Sequence, residues 1–388
     1  MEIPSGWAPN KLGEVAKFSN GLNYKKGAHA NTIKVVGVGD FQKLAEIDDF
    51  SSTSEVSVEK LPNKSNTLKS GDLLFVRSNG NKALVGRCLF LPVISEDIYF
   101  SGFTIRARVD KSVLRPKYAA YLAKSALFKE QLHKFTGGSS ITSLSQNTLT
   151  EFSFPMPPVV EQDEVISILG TWDRAIAATE ALIAKSEAQK KALMQQLLTA
   201  KRRLPGFEGD WKEVRLGDVV DIDWGNTSIT KKQYVASGAQ AYSAAGNDGF
   251  VLNAEHKKQG VVLSAIGARC GRCFLADGEW TAIKNTIVIF AQPNVSDNQF
   301  LFYLVNDARF WPISGGAQPF IGLKNAKRVK LMLPSFKEQK AIGEVFQTCS
   351  TQTVALQAKL QALKAEKAAL MQQLLTGKRR VKLTDVAA

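Results

Sequence analysis

The sequence predicts an α+β protein: two mixed, strand-rich domains separated by two long helices that form an antiparallel coiled coil, with internal pseudo-twofold, circular symmetry. Three observations carry this expectation. First, ALMQQLLTAKRR at residues 192–203 recurs as ALMQQLLTGKRR at 369–380, with Ala200 against Gly377 the one difference. The offset of 177 holds upstream, where Pro157, Glu161 and Gln162 map to Pro334, Glu338 and Gln339. Second, the domain openings repeat at an offset of 204, Trp7 with Leu12-Gly13-Glu14-Val15 against Trp211 with Leu216-Gly217-Asp218-Val219. Third, the inner linker KRRLPGFEGDW has its first half repeated at Lys378-Arg379-Arg380-Val381-Lys382-Leu383 and its second at Ile3-Pro4-Ser5-Gly6-Trp7, like one linker cut open. Repetition on this scale precedes any local reading. The expected divisions are a globular domain at 1–157, a long helix at 158–203, a second globular domain at 204–334, and a second long helix with its tail at 335–388.

The elements follow in chain order. In the first domain, residues 33–38, 73–77, 85–91 and 99–105 are short apolar runs bounded by Gly, Asn, Asp and Ser, which read as strands. A helix is expected over 116–134, then a Gly137-Gly138-Ser139-Ser140 loop and a strand at 152–156. The first long helix follows Pro157-Pro158. Its seam, Val165, Leu169, Trp172, Ile176, Thr179, Ile183, Ser186, Lys190, Leu193 and Leu197, alternates steps of four and three, the coiled-coil pattern. In the second domain, strands are expected at 219–223, 261–266, 273–275, 286–290 and 329–333, with a helix over 298–310 and a Gly315-Gly316 loop. Gly86-Arg87-Cys88 and Gly271-Arg272-Cys273 fall in comparable turns. The second long helix opens on Ser335 and Glu338, a capping-box pair, and Gly377 suits its end. Its seam runs Ile342, Phe346, Cys349, Thr353, Leu356, Leu360, Leu363, Lys367, Leu370 and Leu374. Polar Thr179, Ser186 and Lys190 would help fix the register. A circular arrangement requires the two helices to run antiparallel, because each leaves one domain and arrives at the other.

Composition narrows the function. The chain has 388 residues, 44% of them hydrophobic, which suits two or three domains with real cores. Fifty Lys and Arg against 36 Asp and Glu give a net charge of +14, which points to a polyanion, nucleic acid first. No apolar run approaches the roughly 20 residues of a membrane helix, and residues 1–11 lack a signal-peptide layout. The four cysteines, Cys88, Cys270, Cys273 and Cys349, make no disulfide framework. A cytoplasmic protein with no membrane partner is expected.

The chain resembles the specificity subunits of type I restriction–modification systems. The resemblance rests on the Trp-to-Val openings at 7–15 and 211–219, the Pro-x-x-x-Glu-Gln entry to each long helix, and the Leu-Met-Gln-Gln-Leu-Leu-Thr-x-Lys-Arg-Arg ends. It covers essentially the whole chain. It implies two target-recognition domains, each reading one half of a split double-stranded DNA site, with the coiled coil as ruler between them. It further implies docking of two modification subunits, which methylate adenine with S-adenosylmethionine, and of restriction (translocase) subunits. No cofactor is expected on this chain.

Independently of that resemblance, a DNA reader must hold phosphates and reach base edges. The basic, polar turns are where such contacts are expected. In the first domain these are Lys25, Lys26, Arg77, Asn79, Asn81, Lys82 and Arg87, with Ser139, Ser140 and Thr142. In the second they are Lys231, Lys232, Tyr242, Asn247, Arg269, Arg272, Lys284, Gln318 and Lys324. Arg and Asn make the bidentate contacts that distinguish guanine and adenine. The two domains differ in sequence, so an asymmetric site is expected.

Other chemistries find little support. Cys270-x-x-Cys273 is half a zinc motif, and His29, His133 and His256 have no ligand spacing to complete it. The glycines Gly225, Gly246, Gly267 and Gly271 form no phosphate loop. An amino-methyltransferase needs Asn/Asp-Pro-Pro-aromatic, and the chain's one Pro-Pro, Pro157-Pro158, lacks those flanks. The expectation is therefore a non-catalytic recognition subunit. The alternatives are the specificity subunit of a methylation-only, fused or orphan system and, from another class, a coiled-coil scaffold without DNA contact.

Overall fold

A computed structural model describes residues 3–24, 31–42, 45–135 and 143–382. The chain divides into two compact units, Met1–Ala178 with Leu360–Ala388, and Thr179–Lys359. The two long helices, Val159–Leu197 and Phe336–Leu375, each contribute residues to both units.

The first unit is built on a four-stranded antiparallel sheet in the order Ala16–Asn20, Thr104–Val109, Asp72–Val76, Cys88–Leu91. The strand Asp72–Val76 is buried along its whole length, because both faces of the sheet are covered. Successive side chains point to opposite faces. Leu73 and Phe75 join Tyr118, Tyr121, Phe128 and Leu132 from helices Pro116–Leu122 and Ala126–Phe135. Leu74 and Val76 join Val36, Phe41, Ile98 and Phe100 beneath a three-stranded sheet, Glu55–Val58, Asn31–Val36, Ile98–Phe100. Ala8–Lys11 pairs with Ser153–Met156, which closes the domain at the start of the first long helix.

The second unit repeats this construction. Its four-stranded sheet runs Val220–Trp224, Thr286–Ala291, Gly260–Ser264, Cys273–Ala276, and its three-stranded sheet Gly246–Val251, Ala239–Ser243, Trp280–Ala282. In both three-stranded sheets the central strand pairs antiparallel on one side and parallel on the other. Lys212–Arg215 pairs with Lys330–Leu333 as Ala8–Lys11 does with Ser153–Met156.

Local differences from expectation have identifiable causes. The run 99–105 is two strands in two sheets, because Thr104 N and Oγ1 both donate to Ser101 O and Gly102 N donates to Leu22 O, which bends the chain between them. The helix expected over 116–134 breaks at Ser125, whose Oγ donates to Leu122 O and accepts from Phe128 N. The run 85–91 becomes a strand only at Cys88, after Gly86 at φ +79°. The helix over 298–310 stops at Val305, and Asp307 caps a separate 3-10 turn.

The long helices keep the expected seam. Between residues 176 and 190, the side chains withdrawn from solvent are Ile176, Thr179, Ile183, Ser186 and Lys190; between 351 and 369 they are Thr353, Leu356, Leu360, Leu363 and Lys367. Pairing is antiparallel within each unit. In the first, Glu161 meets Arg380 and Asp173 meets Lys367. In the second, Ser186 Oγ lies 2.9 Å from Thr353 Oγ1, Lys190 Nζ donates to Ser350 Oγ at 2.7 Å, and Arg203 meets Glu338.

One polar layer is present in both units with different chemistry. In the first, Lys367 is paired with Asp173, lies over the Tyr121 ring, and Tyr121 Oη donates to Asp173 Oδ2 at 2.6 Å. Burial opposes the Asp173 charge, but the Lys367 and Tyr121 hydrogen bonds outweigh it and hold the carboxyl below its ordinary pKa. In the second unit Lys190 lies over Tyr303, and Ser350 stands where the repeat has Asp173. Burial lowers the Lys190 ammonium pKa, with only Cys349 opposing it. Ser350→Asp is therefore expected to complete the pair. Taking about 1 kcal/mol for a partly exposed ion pair of good geometry, the second unit should melt about 2–4 °C higher. Differential scanning calorimetry reads this, and an unchanged or lowered transition would contradict the assignment.

Candidate nucleic-acid interface

The Pro-x-x-x-Glu-Gln motif joins each domain to its helix. Gln162 is fully buried; its Nε2 donates to Pro157 O and Val113 O, and its Oε1 accepts from Arg115 N. Gln339 does the same with Pro334 O, Val295 O and Asp297 N. The neighbouring glutamates, Glu161 at 3% exposure and Glu338 at 1%, receive bidentate arginines, which buried carboxylates require. Arg380 Nη1 also donates to Ser5 O, and Arg203 Nη1 to Gly209 O. Ser5 and Gly209 each stand two residues before the opening Trp, so the cut linker is re-formed in space by the same contacts. This corrects the expected capping box. Glu338 N does donate to Ser335 Oγ, but the Glu338 carboxylate goes to Arg203 instead of returning to the helix start.

At one end of each four-stranded sheet, several loops that carry expected contacts come together. In the first domain the hairpin loop 77–87 carries Arg77, Asn79, Asn81, Lys82 and Arg87, so five expected contacts share one loop. Arg77 N donates to Phe103 O at 2.8 Å, and Leu144 N to Arg77 O at 2.7 Å, which sets the 101–103 turn and residue 144 beside that loop. Arg77, Asn81, Lys82 and Arg87 are exposed. Asn79 Oδ1 accepts from Asn81 N and Asn81 Oδ1 from Ala83 N, so both amide oxygens shape the loop. Lys25, Lys26, Ser139, Ser140 and Thr142 lie outside the described residues.

The second domain repeats these bonds. Ala265 N donates to Asn285 O at 3.0 Å and Ile321 N to Ala265 O at 2.8 Å. Arg269 and Arg272 are exposed on the equivalent hairpin loop, Lys284 on the adjoining turn, and Gln318 and Lys324 on the segment that Gly267 N holds through Pro319 O. Lys231 and Lys232 sit on a 3-10 turn capped by Thr230. Lys231 is paired to Asp248, which also accepts from Tyr234 Oη and Ser243 Oγ. Asn247 is exposed, with Nδ2 on Gln240 Oε1. Tyr242 is a correction: its ring is buried against Trp280, with Oη donating to Gln240 Oε1, so it supports the small sheet from within.

The cysteine pair is structural. Cys270 Sγ donates to Ala265 O and Cys273 Sγ to Val305 O, and burial pushes both thiols up. Cys88, the counterpart of Cys273, is pushed up to about 12 by the same cause. Among the described residues, no group of three or more His, Cys, Asp or Glu could hold a metal ion, and no helix is long and apolar enough to cross a membrane.

Sequence reasoning missed the Glu161–Arg380 and Glu338–Arg203 clamps, although the 177-residue offset marked all four residues. It also missed Asn23 and Phe103, which border a hollow of about 780 Å³ at the loop end of the first domain.

A duplicated α+β chain with paired long helices, in which each unit gathers basic, polar loops at one sheet end, has the form of a sequence-specificity subunit. The family model for the type I restriction modification DNA specificity domain matches residues 4–188 and 208–365, and the chain belongs to this family as a type I restriction–modification specificity subunit. It is 23% identical over 430 residues to the type I restriction enzyme MjaVIII specificity subunit of Methanocaldococcus jannaschii, covering 98% of this chain and 95% of that one. It is 24% identical to the EcoKI specificity subunit of Escherichia coli over 186 residues, 46% of this chain and 39% of that one. The crystal structure of the S subunit from M. genitalium superposes with a TM-score of 0.61 at 14% identity, over 99% of both chains. A chain from the complex assembly and conformational transition of the type I R-M system also gives 0.61, at 19% identity over 98% and 100%.

Proposed function

We propose that the chain is the non-catalytic DNA reader of a type I restriction–modification complex. Residues 1–157 and 204–334 act as target-recognition domains, each binding one half of a bipartite, asymmetric double-stranded site. The helices at 158–203 and 335–388 set the distance between half-sites and dock two modification subunits. Those subunits bring S-adenosylmethionine and methylate adenine; restriction (translocase) subunits join the same frame. The observation that carries this reading is the contrast between what repeats and what does not. The clamps and the 4-3 seam spacing are duplicated, whereas paired positions at the loop ends differ, as in Arg77 against Ala265 and Phe103 against Asn285. Two readers of different sequences on one shared frame require this pattern, and a scaffold without DNA contact does not. The +14 charge supplies phosphate attraction.

Exchanging residues 12–155 for the equivalent segment of another specificity subunit tests the reading. Adenine-methylation sequencing of cells carrying the chimera and its modification subunit should reveal one new half-site and one unchanged half-site at the original spacing. A chimera that alters both halves, or neither, would contradict independent reading.

A further inference from the structure

Phe103 is 62% exposed, yet its backbone is firmly held. Its carbonyl accepts from Arg77 N at 2.8 Å, and its N–H donates to Ser101 Oγ at 3.3 Å. Gly102 N donates to Leu22 O at 2.7 Å. The turn packs closely against the 21–23 segment. A Cβ on Gly102 would lie 2.1 Å from Asn23 Oδ1, and one on Gly21 would lie 2.2 Å from Ser101 O. A lone exposed apolar residue is ordinary on a protein surface. Here, however, the ring stands on a tightly bonded turn between strands of two sheets, at the end that carries the basic loop. It borders a hollow of about 780 Å³ lined by Asn23, Tyr24, Ser78 and Asn79. Arg77 and Lys82 are exposed on the same hairpin loop. Ring face, amide and hydroxyl groups, and cations together match the base face, base edges and phosphates of DNA.

We propose that Phe103 inserts its ring into the base stack of the half-site read by the first domain, opening one step, while Asn23, Ser78 and Asn79 meet the base edges beside it. Inserted apolar side chains are an established way to unstack and kink a duplex. The counterpart in the second domain is Asn285, at φ +73°, which has no ring to insert. Only the first half-site is opened in this way. The inference rests on the proposed DNA-reading function, and its test separates the two.

The test uses the chain assembled with its modification subunits, on duplexes carrying the site found by adenine-methylation sequencing. 2-Aminopurine, which brightens when unstacked, replaces each purine of the first half-site in turn. The wild-type complex should brighten one or two adjacent positions, and Phe103→Ala should abolish that signal. Phe103→Ala should also weaken binding by about tenfold or more, the scale of losing one base–aromatic stack, while Phe103→Trp stays close to wild type. If Phe103→Ala binds like wild type while Arg77→Ala with Lys82→Ala binds more weakly, insertion is overturned and DNA reading stands. If neither variant weakens binding, the reading falls with it. If Phe103→Trp fails as badly as alanine and no position brightens, Phe103 is a packing contact and the insertion is wrong.

Discussion

A chain with one heptad inserted after Ala181 and another after Ala358 is expected to methylate the same two half-sites separated by about three more base pairs. The insertion points follow from the register. Within the second unit, Ser186 faces Thr353 and Lys190 faces Ser350, and continuing that antiparallel register brings Ala181 opposite Ala358. These two positions are also 177 residues apart, so the insertions fall at equivalent points of the repeat. A heptad preserves the alternation of four and three and leaves every polar pair on its own side intact. Seven residues at 1.5 Å each lengthen a helix by roughly 10 Å, or about three steps of duplex at 3.4 Å. Three steps also rotate the second half-site by about 100°, given roughly 10.5 base pairs per turn. The variant must absorb that rotation in DNA twist, so a lower methylation efficiency at the longer spacing agrees with the helices acting as ruler. Adenine-methylation sequencing distinguishes the outcomes. Original spacing at original efficiency would remove the helices from that role.

The register used for that design was largely legible in the sequence. All twenty seam positions are withdrawn from solvent, because a 4-3 pattern is a local property that both helices state at the same spacing, even where their seam residues differ. The strand Asp72–Val76 was equally clear, since a sheet covered on both faces makes a continuous apolar run. The small sheet of the second domain was not. Ala239–Ser243 and Gly246–Val251 read AQAYS and GNDGFV, and their pairing comes from contacts that no local pattern encodes. Tyr242 looked like a surface donor for the same reason, until Trp280, 38 residues onward, covered its ring. At the loop ends, the hairpins were identifiable from Gly-Arg-Cys turns. What sets them beside their neighbours is a few backbone bonds, such as Arg77 N to Phe103 O and Ala265 N to Asn285 O, which leave no trace in composition. Glu161 was visible as a repeated residue, but its partner Arg380 lies 219 positions away.

That separation gives the largest expected loss of stability. Arg380→Ala leaves the Glu161 carboxylate, 3% exposed, with Trp7 Nε1 at 3.0 Å as the remaining side-chain donor found among the described residues. Stranding a buried charge in this way costs on the order of 3 kcal/mol. Arg203→Ala strands Glu338 similarly, and Trp211 Nε1 has no acceptor there, so Glu338 loses all the side-chain donors found among the described residues. The chain consequences differ, however. Arg203 and Gly209 are six residues apart in a continuous backbone, whereas Arg380 and Ser5 are 375 apart. Losing Arg380 therefore releases two chain segments that nothing covalent keeps adjacent, and closing that contact again carries a loop entropy that the Arg203 contact does not. Arg380→Ala should lower the first unit's melting transition and impair recognition of the first half-site before the second.

Circular permutation should exchange the two sensitivities. Joining Leu383 directly to Ile3 places Trp7 eight positions after Arg380, the spacing of Arg203 to Trp211. If the new ends are opened within 204–208, the Arg380 contact becomes the local one and Arg203 the long-range one. In that permutant Arg203→Ala should cause the larger loss of stability and of half-site methylation, with Arg380→Ala now the milder change. Calorimetry on both backgrounds measures the exchange. The same rank order in the native and permuted chains would mean that the clamps matter for their own chemistry and not for holding separated chain segments together.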